Sequence, residues 1–141
     1  MEENTFTTIE REIDKFVRRI VLSEKRNDKL DRSTYILLGL LHMHGPASVK
    51  TLADRLRLDI STVSRQAAGM EKKGLVQKLP NPDDGRSYFY QITDTGSKAL
   101  LENRATRLKR VRKALEDWTE EESAAFGKLL EKYNKTVQEK L

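Results

Sequence analysis

Residues 60–73, ISTVSRQAAGMEKK, combine an arginine with small polar side chains at helical spacing. At 100° per residue, the apolar residues share one face of a helix and Arg65 points away from it. The predicted inward face consists of Ile60, Val63, Ala67 and Met70, and the outward face around Arg65 consists of Ser61, Thr62, Ala68, Gly69 and Lys72. Arginine binds guanine in the major groove of DNA, and hydroxyl groups contact base edges or phosphates. The outward face therefore has the chemistry of a surface that reads duplex DNA.

An isolated helix with such a face is more often simply solvated, so the elements before it decide between the two interpretations. Ser48 predicts the N-cap of a short helix, VKTLADRL, and the tight turn RLD leads to Asp59, a predicted N-cap of the second helix. Gly74 ends that second helix. Two short helices joined by three or four residues are typical of a helix-turn-helix, and this setting favours DNA reading.

After Gly74 the sequence changes to a two-residue period. The runs LVQKL and SYFYQIT are rich in valine, aromatic residues and threonine, and the turn-rich PNPDDGR lies between them. This pattern predicts a β-hairpin with a long tip that carries Asp84 and Arg86. An arginine there fits the minor groove of DNA, which is about 6 Å wide. We expect Asp84 to accept hydrogen bonds from the Arg86 side chain; the alternative is an exposed ion pair worth about 0–1 kcal/mol.

Long helical segments flank these elements. Residues 33–44 are apolar almost all round and predict a buried helix. Residues 8–26 carry one apolar stripe, and the long helix with Thr95-Gly96 at its start carries a heptad-like row. TEEE at 119–122 is a capping box that begins a last helix with a stripe of its own. One small core cannot cover three stripes, so we expect a two-fold homodimer.

The composition narrows the function class. The formal net charge is +5, which admits an anionic partner. The absence of cysteine excludes disulfides, thiol redox sensing and Cys-ligated zinc. No apolar run approaches the ~20 residues that span a bilayer, and the acidic start of the chain is unlike a signal peptide, so we expect a cytoplasmic protein without a membrane role. No arrangement of side chains indicates catalysis, a cofactor or a metal, and we expect no enzyme.

Residues 104–113, RATRLKRVRK, form a basic run without an acid. One interpretation is a surface that binds phosphate or another anion. The favoured interpretation is a solvated helix face whose cations are partly paired with acids, because charge runs on helices usually have that role.

The order of these elements resembles the MarR family of bacterial winged-helix regulators over nearly the whole chain. The most specific parts are SVKTLADRLRLDISTVSRQAAGMEKKGLV and PNPDDGRSYFYQITDTG, the second of which carries the family's Asp-x-Arg wing motif and its Thr-x-x-Gly. The resemblance implies a mainly α fold with a small β-hairpin wing. Residues 30–95 would form the winged helix-turn-helix lobe that binds DNA, and residues 1–29 and 96–141 the dimerisation helices.

The resemblance also implies a mechanism. A homodimer would place its recognition helices in successive major grooves of a palindromic operator and its wing arginines in the minor groove, and a small aromatic or anionic effector would release a repressor from DNA. The DNA-binding residues implied are Ser61, Thr62, Ser64, Arg65, Lys72, Asp84 and Arg86. The alternative is a helical protein-interaction module whose basic surface meets an acidic partner, which the Arg65 face and the wing disfavour.

Overall fold

The computed structural model describes residues 3–24 and 30–141, which form six helices and three strands in those ranges. In chain order the elements are α1 (Glu3–Glu24), α2 (Arg32–His44), β1 (Ala47–Ser48), α3 (Val49–Leu56), α4 (Ile60–Lys72), β2 (Val76–Asn81), β3 (Asp84–Ile92), α5 (Asp94–Ala114) and α6 (Glu120–Lys140). The chain divides into two compact units, Met1–Asn103 and Arg104–Leu141. None of the described helices is long and apolar enough to cross a membrane. The predicted fold class, mainly helical with a small antiparallel wing, is confirmed.

The hydrophobic core of the first unit collects side chains from α2 through the start of α5. Its fully buried members are Leu37, Leu38, Leu41, Leu52, Val63 and Leu100. The prediction that α2 is buried is right for one face only, because Ile36 is 42 % exposed and Met43 is 75 % exposed. The sequence signal failed here because an apolar side chain alone does not say which face of the helix is covered.

Local hydrogen bonds set the ends of the two short helices, as predicted. The Oγ of Ser48 accepts a hydrogen bond from the backbone N–H of Thr51 at 3.1 Å, which caps α3. Arg57 ends α3 in the left-handed conformation, with φ of 55°. Asp59 then caps α4 by accepting from the N–H of Thr62 at 3.2 Å. The turn between α3 and α4 is therefore short and fixed at both ends, as a helix-turn-helix requires.

The sheet has the strand order β1-β3-β2 with antiparallel pairing. Strand β1 was not predicted, since two residues are too few to show a period. The hairpin is also tighter than predicted: Asn81 pairs with Asp84 across an irregularity next to Pro80, so only residues 82 and 83 connect the strands. Arg86 is accordingly the third residue of β3, and the prediction of a long tip carrying it is wrong.

The start of α5 is tied to the segment that follows α4. The hydroxyl of Thr93 donates to the carbonyl of Gly74 at 2.6 Å and accepts from the N–H of Gly96 at 3.0 Å. A Cβ atom on Gly96 would lie 2.1 Å from the carbonyl oxygen of Leu75. The Thr-x-x-Gly motif therefore has a steric basis, because only glycine lets α5 approach the backbone after α4 this closely.

Helix α1 exposes its apolar stripe. It begins at Glu3, five residues before the predicted start at Thr8, and its predicted end at Arg26 lies outside the described residues. Along its length Ile9, Ile13 and Phe16 remain 38–46 % exposed. The described residues of the first unit leave this stripe open.

The second unit has no buried core of its own. None of residues 104–141 is buried, and four large apolar side chains on α6 are exposed: Phe126, Leu129, Leu130 and Tyr133. Its local order comes from the predicted capping box, in which Thr119 and Glu122 exchange two hydrogen bonds of 2.9 and 3.1 Å. The ring of Trp118 also contacts that of Phe126, with centroids 5.6 Å apart.

Candidate nucleic-acid interface

Helix α4 packs on the core with one face and leaves the opposite face open. Val63, Ala67 and Met70 are buried, as predicted. Ile60 was predicted to point inward but is 54 % exposed, because the first residue of the helix lies beyond the edge of the core. The predicted outward residues Ser61, Arg65, Ala68, Gly69 and Lys72 are exposed, and Thr62 is half-buried. Ser64, predicted as a DNA-binding residue, is also exposed.

The N-terminal end of this face carries a carboxylate that the sequence analysis considered only as a cap. Asp59 accepts hydrogen bonds from the hydroxyl of Ser61 through Oδ2 and from the hydroxyl of Thr62 through Oδ1, the latter at 2.8 Å. The hydrogen bonds from Ser61 and Thr62 lower the pKa of Asp59 from 3.8 to about 2. The carboxylate is therefore ionised at neutral pH, and the two hydroxyl groups are oriented by it.

Two clefts flank α4. On one side, Arg65, Gln66 and Lys73 face the N-terminus of α2 with Asp31 and Thr34. On the other side, a cleft of about 280 Å³ lies between α4, the start of α3 and the sheet, with Ser64, Lys50 and Lys78 among its lining residues. Arg65 and Ser64 therefore border opposite sides of an open ridge.

Lys78 on β2 has a defined position beside the second cleft. Its Nζ lies 3.8 Å from Oε1 of Glu71 and 5.3 Å above the ring of Tyr88. All three side chains are partly exposed, so the pairing fixes the direction of the lysine more than it stabilises the fold. The cation stays at the base of the wing, next to the open face of α4.

The wing turn is held by side chains that bond to the backbone. Asn81 accepts from the N–H of Asp83 at 2.9 Å, and its amide donates to the hydroxyl of Ser87 at 2.9 Å. Asp84 accepts from the backbone N–H of Arg86 at 3.0 Å. We expected Asp84 to hold the guanidinium of Arg86, and this is corrected: the hydrogen bond goes to the backbone. The carboxylate fixes the chain at Arg86, whose exposed side chain extends from β3.

Exposed cations lie on α4, at the base of the wing and on the wing itself. The structure brings the predicted residues of α4 and of the wing into the same lobe, where Lys50 and Lys78 add cations that the sequence analysis did not select. The missing signal was spatial, because these lysines are distant in sequence from Arg65. The basic run at 104–113 lies in the second unit, and three of its arginines, Arg104, Arg107 and Arg110, have interaction partners in the chain.

Comparisons with known proteins agree with this arrangement. The sequence model of the MarR family matches residues 30–88. An uncharacterised HTH-type transcriptional regulator of Bacillus subtilis (strain 168), YxaD, is 43 % identical over 136 residues, which cover 94 % of this chain and 95 % of the relative.

Solved structures share the fold. A MarR family protein from Bacillus stearothermophilus superposes with a TM-score of 0.84 at 20 % identity, over 98 % of this chain and 99 % of the other. The PcaV transcriptional regulator from Streptomyces coelicolor, solved in complex with its natural ligand, superposes with a TM-score of 0.69 at 19 % identity, over 92 % and 91 % of the two chains. At these identities the superpositions show a shared winged-helix fold and nothing further.

Proposed function

The chain belongs to the MarR family of DNA-binding transcriptional regulators, and on that premise we propose that it is a homodimeric repressor of a palindromic operator. The observation that carries the proposal is the open face of α4. Arg65 is exposed among small side chains there, while Val63 and Met70 hold the opposite face against the core. Such a helix can approach another surface closely without disturbing its own packing.

In the proposed complex α4 enters the major groove, which is about 12 Å wide and admits a helix. Arg65 would donate two hydrogen bonds to a guanine, because its fork of N–H groups matches the O6 and N7 acceptors. Ser64 would contact a base edge on the wing side of the helix. Lys72, in the last turn of α4, would pair with a phosphate and contribute affinity without sequence preference.

The wing would add a contact in the minor groove. Arg86 is exposed on a thin two-stranded element, and Asp84 fixes the backbone from which its side chain extends. A guanidinium is favoured where the minor groove narrows over A·T-rich steps, since the negative potential deepens there. Within this proposal Asp84 positions Arg86 through the backbone and makes no direct contact with DNA.

Dimerisation is supported by apolar surface on the terminal helices. The stripe on α1 remains exposed in the first unit, and no residue of the second unit is buried. A two-fold partner would cover this surface and would place two copies of α4 on two half-sites. We therefore assign residues 30–95 to DNA binding and residues 1–29 and 96–141 to dimerisation.

We also propose how the protein is regulated, that it is not an enzyme, and where in the cell it works. We propose release from DNA by a small aromatic or anionic effector, and the PcaV transcriptional regulator, which shares the fold, has been solved with its natural ligand. We propose no catalytic activity and expect the protein to work in the cytoplasm. A thermal-shift screen with small aromatic acids would identify an effector as a compound that raises the melting temperature and weakens DNA binding.

The test of DNA reading is selection from a random duplex library, followed by fluorescence anisotropy with an excess of unrelated duplex. The expected result is an enriched sequence with two symmetric half-sites whose binding survives the competitor. Binding to every duplex alike, abolished by the competitor, would instead favour the alternative of a basic surface for an acidic protein partner.

A further inference from the structure

The N-terminal end of α4 contains two hydroxyl groups whose hydrogens already form hydrogen bonds within the chain. A threonine or serine hydroxyl has one hydrogen to donate and lone pairs that accept. The hydroxyl of Thr62 lies 2.8 Å from Oδ1 of Asp59, and that of Ser61 contacts Oδ2. An ionised carboxylate only accepts hydrogen bonds, so both hydroxyl groups must donate to it. What they offer to a partner in solution is their lone pairs.

This orientation limits what the two side chains can bind. DNA phosphates offer only acceptors, and a hydroxyl without an available hydrogen cannot bond to them. In the major groove, guanine O6 and thymine O4 are likewise acceptors, whereas adenine N6 and cytosine N4 are amino donors. Only the amino groups match the lone pairs of Ser61 and Thr62.

We propose that Asp59 is a specificity-determining residue that acts through Thr62, orienting its hydroxyl so that α4 selects a base with an exocyclic amino group, adenine or cytosine, at one position of each half-site. The inference rests on the proposed function and adds the chemistry of one contact to it. Asp59 is a positioning residue, since Thr62 would touch the base.

The low pKa of Asp59, about 2, supports the same picture. The carboxylate remains ionised over the whole range in which DNA duplexes are stable, so the orientation of the hydroxyl groups does not change with physiological pH. The charge itself is unfavourable next to phosphates, and this repulsion would act equally on every DNA sequence. A base preference and a uniform repulsion can therefore be distinguished by experiment.

The substitution Asp59→Asn should make the hydroxyl of Thr62 accept a hydrogen bond from residue 59 where it now donates one, and should leave the rest of the helix end in place. Asparagine caps a helix as well as aspartate does. Its oxygen is required at the Oδ2 position, where the backbone N–H of Thr62 and the hydroxyl of Ser61 donate. Its NH₂ group then occupies the Oδ1 position and can only donate to the hydroxyl of Thr62. Thr62 must turn its hydrogen outward, while Ser61 stays unchanged as an internal reference.

The experiment selects binding sites from a random duplex library with the wild-type dimer and with Asp59→Asn, Thr62→Val and Thr62→Ser. We expect Asp59→Asn to change one base per half-site from adenine or cytosine to guanine or thymine, with a roughly tenfold change in preference in anisotropy. Thr62→Val should lose the preference at that same position, and Thr62→Ser should keep it. Melting temperatures check that each variant is folded.

The alternatives have different results. An Asp59→Asn protein that binds all duplexes more tightly, with an unchanged base profile, would mean that the carboxylate acts only by repulsion, and the inference would be overturned. A loss of preference at a different position in Thr62→Val would overturn it as well. If the wild-type protein enriches no sequence at all, the proposed function fails and this inference fails with it.

Discussion

The two ends of α5 belong to regions that differ in whether their large apolar side chains are buried. Before residue 104, the first unit packs Leu37, Leu38, Val63 and Leu100 into a closed core with no exposed surface on these side chains. After it, residues 104–141 also carry large apolar side chains, yet none is buried. Both regions have well-capped helices, so the difference lies in packing and not in helix propensity.

The first unit covers its own apolar core, whereas the apolar side chains of the second unit stay exposed in the single chain. Most helical stability in proteins comes from burying an apolar face, and helices without such burial are marginal in water. The lobe meets this condition within one chain. In the proposed dimer another copy would cover Leu129 and its neighbours, which would make the proposed DNA-reading and assembly regions separable by mutation.

The largest expected effect comes from separating the two regions completely. A fragment of residues 30–103 should unfold cooperatively on heating, because it keeps the whole buried core. A fragment of residues 104–141 should show weak helicity and no cooperative transition at micromolar concentration. Far-UV circular dichroism measures both. A cooperative, monomeric transition in the second fragment would remove the distinction.

Within the first unit, Gly96→Ala should lower the free energy of unfolding by about 3 kcal/mol, because the added Cβ collides with a backbone carbonyl that cannot rotate away. The clash distance of 2.1 Å to the oxygen of Leu75 leaves no room without moving α5. The matched control is Gly39→Ala in α2, where nothing lies within 4 Å of the added atom. That control should gain about 0.5–1 kcal/mol from helix propensity. Urea denaturation of both variants gives the comparison, and equal stabilities would show that the approach of α5 is not tight.

In the terminal helices, Leu129→Glu should weaken the dimer at least about a hundredfold, since each chain would carry a charge into an apolar contact. Light scattering of the wild type should give about twice 16.3 kDa, and the variant should move towards 16.3 kDa. Lys132→Glu, on the same helix, is the control and should remain dimeric. A wild-type monomer that binds its selected DNA tightly would contradict the proposed assembly.

The smallest of these effects concerns the wing. Arg86→Ala should weaken binding to the selected duplex roughly tenfold, by removing one guanidinium from the minor groove, without changing the melting temperature or the dimer. The loss should shrink when A·T steps under the wing are replaced by G·C. Asp84→Ala should cost less, because it only loosens the backbone at Arg86. Equal affinity of wild type and Arg86→Ala in anisotropy would refute the role assigned to the wing.

Much of this arrangement could be predicted from sequence because it depends on local rules. The helical period identified the buried face at Val63 and the open face at Arg65, and cap residues located the helix-turn-helix. The predictions were wrong where the structure depends on contacts between segments that are distant in sequence. Ile60 is exposed because the core stops before the first turn of α4, and the hairpin is short because of pairing across the irregularity at Pro80.

The hydrogen-bond partners of two aspartates could not be predicted from the sequence, for a different reason. Spacing brought Asp84 close to Arg86 but could not choose between its guanidinium and its N–H as the donor. In the same way, the cap at Asp59 was predicted, while its bonds to two hydroxyl groups depend on rotamers that no period encodes.

The most direct test of the account is the affinity of Arg65→Ala for the duplex selected by the wild type and for single-base variants of that duplex. We expect a loss of about 1–3 kcal/mol per half-site, together with a relaxed preference at one guanine, while the melting temperature and the dimer remain unchanged. An affinity equal to that of the wild type on every duplex would contradict it, because the open face of α4 would then not be the surface that reads DNA.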